Sequence, residues 1–463
     1  MNADAALQRG WLDELADVLG ERLSTAGALL EQHGQDESYH AGQPPEAVAF
    51  PETTDEVARL VAICARHGKP VIPFGVGTSL EGHVAALSGG VCLDLSRMNA
   101  VLEVNAEDMD CAVQAGVTRK QLNADLRETG LFFPIDPGAD ATLGGMAATG
   151  ASGTNAVRYG TMRENVIGLT VVMADGRVVH TGGRARKSSA GYDLTRLMVG
   201  SEGTLGVITE VRLRLSGQPE AISSAVCSFP TLEGAVETAQ LVIQSGIPVA
   251  RMELLDEVQM DACNRYSGLA YPVQPTIFFE FHGSEAGVAE QAERTGELAQ
   301  AAGGTDFAWA TAAEERSKLW AARHAAYYAG IALKPGAKGW PTDVAVPISR
   351  LAECIAETKR DIQDSALTAP IVGHVGDGNF HLVLVVDPDD GEEMARAHAL
   401  NDRLVARALQ MGGTCTGEHG IGYGKMHLLE QEHPDLLPTM AAIKRALDPG
   451  NILNPGKIVK LDG

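Results

Sequence analysis

The sequence predicts an α+β protein of two or three domains, and three observations support this prediction. The chain has 463 residues, which at roughly 150 residues per domain is enough for two or three hydrophobic cores. Helix-like segments alternate with short β-rich runs along the chain. Three glycine-rich stretches interrupt this alternation in the first half of the sequence. We therefore expect sheets covered by helices, with loops that approach a ligand where the glycines cluster.

The composition favours an enzyme that acts on small molecules. The chain carries 37 Lys and Arg against 60 Asp and Glu, which gives a formal net charge of −23. An acidic protein repels phosphate backbones and anionic lipid, so we expect no nucleic-acid partner. Hydrophobic residues make up 45% of the chain, which excludes wholesale disorder.

The cysteines and the hydropathy pattern favour a cytoplasmic protein. The seven cysteines are scattered widely along the chain and form no CxxC pair, which argues against iron–sulfur, c-type haem and thioredoxin-like motifs. The N-terminal segment carries several acids and predicts an amphipathic helix rather than a signal peptide. No apolar run long enough to span a bilayer follows, so we expect no transmembrane segment. Peripheral contact with the inner membrane stays open.

The predicted organisation has three parts. Residues 1–218 form a first domain, with helix-like residues up to 40, a helix capped by Thr53 or Thr54 and a long loop over 131–160. A hairpin turns at Asp175-Gly176, and the alternating VITEVRLRL is the closing strand of the domain. Residues 219–410 predict a separate α+β domain with strands FFEFHG and FHLVLVVD and the helix EERSKLWAARHAAYYAGIAL. The glycine-rich residues 411–463 are expected to return to the first domain.

The three glycine-rich stretches predict a dinucleotide site. PFGVGTSLEGH follows a predicted strand, and successive backbone N–H groups in such a turn cradle a pyrophosphate without a cationic side chain. Its spacing is neither GxGxxG nor a Walker A motif, and alone it is equally well a simple turn. Residues 136–161 and 200–206 add two similar stretches, so the set indicates a long dinucleotide lying across the domain.

Two histidines and a glutamate predict a metal site. His374 and His381 lie seven residues apart in GHVGDGNFH, and the intervening turn sequence lets short flanking strands bring them together. Glu418 and His419 follow in TGEHGIG. Two His and one Glu suit Zn²⁺, Mn²⁺ or Fe²⁺, and a buried structural role for each histidine is the alternative.

Arg323 is a candidate for binding a carboxylate. It lies on a predicted helix and shares a face with Tyr327 at i, i+4. A guanidinium that faces a cleft binds a carboxylate by two parallel hydrogen bonds, whereas Lys334 or Lys338 would act only as point charges. A solvated or salt-bridged arginine is the alternative.

Together these segments resemble the FAD-linked oxidases of the vanillyl-alcohol oxidase type. Within that family they are similar to the D-lactate dehydrogenase (cytochrome) and glycolate oxidase flavoprotein group. The resemblance runs from about Pro44 to Lys457 and rests on the three glycine-rich stretches, GHVGDGNFH, TGEHGIG and NPGK. It implies an FAD-binding domain of two lobes, an α+β cap (substrate) domain over the isoalloxazine, and a C-terminal segment that returns to the FAD domain.

The resemblance also implies the residues that hold FAD. Those matching the pyrophosphate loop are Pro73, Gly75, Val76, Gly77, Thr78, Ser79 and Gly82. Those matching the flavin lining are Pro137, Thr142, Gly145, Ala148, Ser152, Gly153 and Tyr159. Glu202, Gly206 and Ile208 match positions near the adenosine, and Asn454 matches one near the ring. Some members attach FAD through a histidine in the first loop, but Thr78 stands at that place here, so we expect non-covalent FAD.

The resemblance further implies a metal-assisted reaction. The implied ligands of a divalent metal, Zn²⁺ or Mn²⁺, are His374, His381 and Glu418. A bound metal would lower the pKa of the substrate's 2-hydroxyl group, so that His419, which matches the base, would remove its proton while the C2 hydrogen would leave as hydride to flavin N5. Arg323 matches the residue that would hold the carboxylate. Asn379 would bind the same carboxylate or orient a ligand.

The expected function is a flavin dehydrogenase for a small D-2-hydroxy acid, D-lactate first, with glycolate and D-2-hydroxyglutarate as alternatives. Electrons would pass to an external cytochrome, quinone or electron-transfer protein. A metal-dependent hydrolase or lyase that uses the same histidines is the alternative from another class. A flavin subunit that works only inside a larger complex is a third alternative. The oligomeric state, including a homodimer, stays open.

Overall fold

The structure, a computed structural model, describes residues 10–461. The first nine residues of the predicted amphipathic helix therefore lie outside the described residues. In chain order the helices are α1 Trp11–Leu19, α2 Gly27–His33, α3 Thr54–His67, α4 Arg119–Asp125, α5 Leu143–Thr149, α6 Ala156–Tyr159, α7 Met162–Asn165, α8 Leu194–Met198, α9 Leu232–Gln244, α10 Glu257–Ser267, α11 Glu285–Ala301, α12 Ala313–His324, α13 Ala326–Ile331, α14 Leu351–Ser365, α15 Gly391–Gln410, α16 Met426–Glu432 and α17 Leu437–Leu447. None of these helices is long and apolar enough to cross a bilayer.

The strands lie between these helices, either singly or in consecutive groups. In chain order they are β1 Leu23–Ser24, β2 Ala47–Ala49, β3 Val71–Phe74, β4 Val91–Asp94, β5 Val101–Asn105, β6 Asp110–Gln114, β7 Leu131–Phe132, β8 Val166–Val172, β9 Val178–Gly182, β10 Val207–Arg214, β11 Ser216–Gly217, β12 Ala221–Ser228, β13 Val249–Leu255, β14 Thr276–Gly283, β15 Thr305–Ala310, β16 Lys338–Pro341, β17 Val344–Ala345, β18 Ile371–His374 and β19 Asn379–Val386. Short 3₁₀ helices lie at Gly20–Arg22, Leu95–Arg97, Arg127–Thr129 and Ile348–Arg350.

The chain divides into two compact units. The first unit contains the described residues 10–152, 160–218 and 418–461. The second unit contains residues 153–159 and 219–417. The domain boundaries that we predicted from the sequence stay predictions.

A four-stranded sheet in the order β1-β2-β4-β3 forms one part of the first unit, and β2, β4 and β3 run parallel. Helix α3 connects β2 to β3. It begins after Thr53, whose hydroxyl accepts a hydrogen bond from Glu56 N at 3.2 Å, and it ends at Gly68 in the left-handed conformation. Leu60 and Val61 of this helix are fully buried in the core that covers the sheet. The predicted helix and its N-cap are therefore confirmed.

A five-stranded antiparallel sheet in the order β5-β6-β10-β8-β9 forms the other part of the first unit. Strands β8 and β9 pair as the predicted hairpin, which turns at Asp175 and Gly176. Strand β10, which the alternation in VITEVRLRL predicted, occupies the centre of this sheet. Its alternate residues Val207, Val211 and Leu213 are buried.

Two predictions for the N-terminal part of the chain were wrong in detail. The region predicted as helix up to residue 40 contains two short helices, α1 and α2, separated by a 3₁₀ turn and by β1. The region 131–160, predicted as a loop, contains the short elements β7, α5 and α6. Small residues dominate α5, and Thr142 caps it, so helix forms there without an apolar periodicity that sequence analysis detects.

The second unit is built on one large antiparallel sheet. Its strands follow the order β15-β12-β14-β13-β18-β19-β16, and β17 also pairs with β19. The predicted strands FFEFHG and FHLVLVVD are confirmed as parts of β14 and β19. Helices α10, α12 and α13 pack on the sheet through a core that includes Phe278, Trp320 and Val383. The single helix predicted over 314–333 is split at Ala325 into α12 and α13.

Candidate active site

The first glycine-rich loop of the first unit packs closely against other parts of that unit. It leaves β3 and runs from Gly75 to Gly82, where φ is +73° and an added Cβ would lie 2.2 Å from the Tyr423 ring. Asp36 fixes the loop by accepting hydrogen bonds from Ser79 Oγ at 3.0 Å and from His83 N at 3.1 Å. The sequence from 73 to 82 carries no cationic side chain. That this loop holds the FAD pyrophosphate through backbone N–H donors stays a prediction.

The other residues predicted to bind FAD fall in both units. Thr142 caps α5 by accepting a hydrogen bond from Gly145 N at 3.4 Å, and Gly206 packs so closely that a Cβ would lie 2.3 Å from Val171. The predicted residues Pro137, Ala148, Ser152 and Ile208 lie in the first unit. Gly153 and Tyr159 lie in the second unit, where Tyr159 Oη contacts His282 Nδ1 at 2.7 Å. Their contact with a flavin stays a prediction.

Glu202 and Asn454 hold the first unit's chain segments together. Both residues have positive φ, +53° and +40°, and both are buried. The two Glu202 oxygens accept hydrogen bonds from the backbone N–H groups of Ile421 and Gly422, each at 2.7 Å. Asn454 Nδ2 donates to Glu202 O at 2.8 Å and to His83 O at 3.1 Å. These side chains therefore build the loop framework of the first unit.

His419 lies beside a buried ion pair in the first unit. Lys425 Nζ is 2.9 Å from Glu81 Oε1, and His419 Nδ1 is 3.8 Å from the same oxygen. Burial raises the pKa of Glu81, but the charges of Lys425 and His419 outweigh burial and lower it. The carboxylate therefore stays ionised next to the predicted base.

His374 and His381 converge in the second unit, as the turn sequence predicted. Strands β18 and β19 pair on either side of the turn, and the two ring centroids lie 5.4 Å apart. His381 Nδ1 donates to Thr342 O at 2.8 Å, and His374 Nδ1 donates to Glu253 Oε1 at 2.7 Å. Because both Nδ1 atoms carry these protons, Nε2 is the coordinating atom of each ring. The pair therefore fits two nitrogen ligands of a divalent metal.

Arg323 is anchored by an internal carboxylate. Its Nε donates to Glu253 Oε2 at 2.7 Å, and Glu253 is fully buried. Burial raises the pKa of Glu253, but the charges of His374 and Arg323 outweigh this effect and lower it. Within the described chain, Nε is the only guanidinium nitrogen of Arg323 with a hydrogen-bond acceptor. The two terminal nitrogens, Nη1 and Nη2, are therefore the ones available to a substrate carboxylate.

The side-chain amide of Asn379 donates hydrogen bonds within the second unit. Its Nδ2 donates to Asp343 Oδ1 and to Val344 O, both at 2.8 Å. Asp343 also accepts a hydrogen bond from Thr416 Oγ1 at 2.7 Å and lies 3.6 Å from His381 Nδ1. One amide hydrogen of Asn379 thus helps to fix the carboxylate beside His381, and the other holds the backbone at Val344.

Three acidic residues beside the candidate site residues, Glu253, Asp343 and Glu81, were not predicted from the sequence. Glu253 carried a detectable signal, because it is a lone acid within the apolar strand VARMELL. Asp343 and Glu81 stand in turn-rich segments where acids are common, so nothing in the sequence distinguished them from surface acids. Lys334 and Lys338, the two lysines compared with Arg323 as carboxylate ligands, lie in different surroundings. Lys334 Nζ contacts both oxygens of Glu393, at 2.8 and 2.6 Å, and Lys338 is exposed.

Comparison with known protein families identifies this chain's family. The FAD binding domain family matches residues 45–182. The family of FAD linked oxidases, C-terminal domain, matches residues 218–458, which is more than half of the chain. The chain belongs to the FAD-linked oxidases.

Relatives of this FAD-linked oxidase cover nearly its whole length. It is 56% identical to the probable mitochondrial D-lactate dehydrogenase of Danio rerio, over 95% of this chain and 90% of the relative. It is 47% identical to the mitochondrial D-lactate dehydrogenase (cytochrome) of Arabidopsis thaliana, over 97% of this chain and 80% of the relative. The 4-ethylphenol oxidase from Gulosibacter chungangensis matches in structure with a TM-score of 0.78 at 19% identity, over 99% of this chain and 98% of that one.

These matches confirm the predicted family and the α+β fold of the vanillyl-alcohol oxidase type. The FAD-linked oxidase is a flavoprotein oxidoreductase, and its first unit contains most of the FAD binding domain. The family match favours this function over the metal-dependent hydrolase or lyase that we considered from the sequence.

Proposed function

We propose that this FAD-linked oxidase is a dehydrogenase that converts D-lactate to the 2-keto acid. The observation that carries the proposal is the close identity to relatives named D-lactate dehydrogenase, over nearly the full chain. The second unit supports it, because two converging histidines and an anchored arginine suit the hydroxyl and carboxylate groups of a 2-hydroxy acid.

The two bound groups have separate places in the chain. FAD, when bound, accepts a hydride, and a divalent metal, when bound, lowers the pKa of the substrate hydroxyl. The loop from Gly75 to Gly82 would hold FAD without a covalent bond, because Thr78 offers no imidazole. His374 and His381 would hold Zn²⁺ or Mn²⁺, with Glu418 as a further ligand. Glu418 directly follows Gly417, which packs so tightly against Asn379 that a Cβ would lie 2.4 Å from Nδ2.

The chain's own residues have distinct roles in the proposed reaction. His419 takes the hydroxyl proton, and the ionised Glu81 beside its Nδ1 stabilises the imidazolium that forms. Arg323 binds the substrate carboxylate through its terminal nitrogens and so orients C2 for hydride transfer. Asn379 positions Asp343 beside His381 rather than binding the carboxylate.

The electrons leave through an external acceptor in this proposal. The Arabidopsis relative is named for a cytochrome, and we infer a cytochrome-type acceptor for this chain as well. The scattered cysteines support this inference, because they form no iron–sulfur or c-type haem motif. The relatives' names include a mitochondrial location, and the cytoplasmic location that we expected stays a prediction.

An anaerobic titration of the purified holoenzyme with D-lactate tests the proposal. We expect flavin bands near about 370 and 450 nm that bleach on addition of D-lactate. Glycolate and D-2-hydroxyglutarate serve as parallel titrants. If glycolate or D-2-hydroxyglutarate bleaches the flavin faster than D-lactate does, that acid is the preferred substrate. If none of the three bleaches the flavin, the proposed reaction is wrong.

A further inference from the structure

Glu253 is a buried carboxylate with two partners of different predicted function. It is fully buried on β13, and it stands opposite His374 in the pairing of β13 with β18. Its Oε1 accepts a hydrogen bond from His374 Nδ1, and its Oε2 accepts one from Arg323 Nε, each at 2.7 Å. One side chain thus joins a candidate metal ligand to the candidate carboxylate clamp.

We propose that Glu253 is a positioning residue that fixes His374 and Arg323 together, and so couples metal binding to binding of the substrate carboxylate. This inference rests on the proposed function. Glu253 itself touches neither substrate nor metal in this role, because both of its oxygens are occupied by the two partners.

Only a carboxylate satisfies both partners. His374 Nδ1 and Arg323 Nε are both donors, so the bridging group needs two acceptor atoms and no hydrogen of its own. The bond to His374 fixes the Nδ1–H tautomer and leaves Nε2 as the atom that coordinates a metal. The bond to Arg323 uses Nε of the guanidinium and leaves Nη1 and Nη2 for a second carboxylate.

Stability alone gives a weak account of this arrangement. Burying a carboxylate and a guanidinium costs desolvation free energy that is often as large as their attraction, so such pairs contribute little net stability. Asp256, which directly follows β13, is a buried carboxylate that can be compared with Glu253. It is also fully buried, and it pairs with Lys359 Nζ at 2.6 Å, but it contacts neither His374 nor Arg323.

Glu253→Gln isolates the bridging role. The glutamine has nearly the same shape, but its amide group is a donor and faces either His374 Nδ1 or Arg323 Nε. One of the two hydrogen bonds is then replaced by two N–H donors that face each other. The other hydrogen bond remains, but its acceptor no longer carries a negative charge. We expect Mn²⁺ affinity to fall by about 10–100-fold, which is typical when a partner of a metal ligand is lost. We also expect the KM for D-lactate to rise by about tenfold, with kcat at saturating Mn²⁺ and D-lactate much less changed.

The test measures two quantities on the same preparations. Mn²⁺ affinity is measured by electron paramagnetic resonance on the metal-stripped flavoprotein, and KM and kcat are measured on the reloaded holoenzyme. Asp256→Asn is the control, and we expect it to lower stability without changing either quantity. Wild-type values of both Mn²⁺ affinity and KM in Glu253→Gln would overturn the inference. So would equal changes in Asp256→Asn, because the effect would then reflect general destabilisation.

Glu253→Asp keeps the test decisive if the glutamine variant does not fold. Aspartate retains the charge but is one methylene shorter, so we expect it to reach at most one of the two partners. We expect Mn²⁺ affinity or KM to be impaired in that variant, and wild-type values of both would overturn the inference. Failure of the proposed function is distinguishable, because the wild-type flavin would then not bleach with D-lactate. The Mn²⁺ titrations would still decide whether Glu253 supports the metal ligand.

Discussion

Glu202 accepts hydrogen bonds from the backbone of Ile421 through one carboxylate oxygen and from Gly422 through the other, each at 2.7 Å. Glu202 is buried and its φ is positive, a conformation that a non-glycine residue keeps only where surrounding contacts hold it. The loop that it fixes follows directly after Glu418 and His419. The placement of the predicted base in the first unit thus depends on an acid from a distant part of the chain.

Glu202→Gln should therefore weaken both the fold of this loop and catalysis. A glutamine accepts only one of the two backbone hydrogen bonds and turns its amide donor towards the other N–H. We expect the free energy of unfolding to fall by about 1–3 kcal/mol and kcat to fall with it. Glu210→Gln is the control, because Glu210 bonds to Thr170 within the central sheet of the same unit. Equal kcat values in wild type and Glu202→Gln would contradict this account.

The sequence predicted those parts of the site that local patterns encode. The turn residues between His374 and His381 were enough to predict their convergence, because a short turn between two strands brings its flanks together. The helix after Thr53 and the hairpin at 175–176 were predicted for the same reason, since a cap or a turn is set by adjacent residues.

The sequence could not predict contacts between distant segments. Arg323 was considered as a clamp or a salt-bridged side chain, and the structure shows an ion pair with Glu253, which lies on a different element far along the chain. Glu202 matched a position near the adenosine, but its carboxylate accepts hydrogen bonds from the backbone N–H groups of residues 421 and 422. Pairings of this kind depend on the strand order of the sheet and on tertiary packing, which no local spacing specifies.

Arg323→Ala tests the carboxylate clamp. Loss of charge-assisted hydrogen bonds worth about 1.5–3 kcal/mol should lower kcat/KM for D-lactate by about 10–100-fold. Steady-state kinetics with an artificial electron acceptor measures this effect. Lys318→Ala is the control on the same helix, because Lys318 is exposed and pairs with Glu314 at the surface. If kcat/KM of Arg323→Ala stays near the wild-type value, Arg323 is not the clamp.

His381→Ala tests the metal site. Removing one of the two proposed nitrogen ligands should lower Mn²⁺ affinity by more than about tenfold, and flavin content should stay at the wild-type level because His381 is not among the residues predicted to bind FAD. Metal analysis after dialysis and the flavin absorbance measure the two quantities. His398→Ala is a control in the second unit, where His398 packs on Trp340 with ring centroids 4.7 Å apart. Full metal content in His381→Ala would exclude His381 as a ligand.

Gly82→Ala tests the backbone cradle for FAD. An alanine at this position would carry φ of +73° and place its Cβ 2.2 Å from the Tyr423 ring, so the loop must shift. We expect the purified variant to lose most of its FAD while the far-ultraviolet circular dichroism spectrum is retained. Gly27→Ala is the control, because nothing lies within 4 Å of its added Cβ. Wild-type flavin occupancy in Gly82→Ala would show that the cradle does not depend on this glycine.

Glu56 gives the stability of the first unit a defined acid dependence. Arg22 forms a two-pronged ion pair with Glu56, with Nη1 at 2.8 Å from Oε2 and Nη2 at 2.6 Å from Oε1. This hydrogen-bonded partner lowers the pKa of Glu56 from its ordinary value of 4.5 to about 2. Because the folded-state pKa is depressed, the stabilisation is fully present above pH 4.5 and is lost as the pH falls towards 2.

Glu56→Gln should therefore lower the free energy of unfolding at pH 7 by about 1 kcal/mol, since the pair is partly exposed and screened by solvent. Urea unfolding of wild type and variant at pH 7, 4 and 3 measures the difference. We expect the two proteins to converge as the pH falls, because protonated Glu56 no longer attracts Arg22. Glu103→Gln is the control, because Glu103 is exposed and its contact with Arg212 is a surface ion pair of the same unit. A constant difference between wild type and Glu56→Gln at all three pH values would show that Glu56 stabilises the unit through packing rather than through its charge.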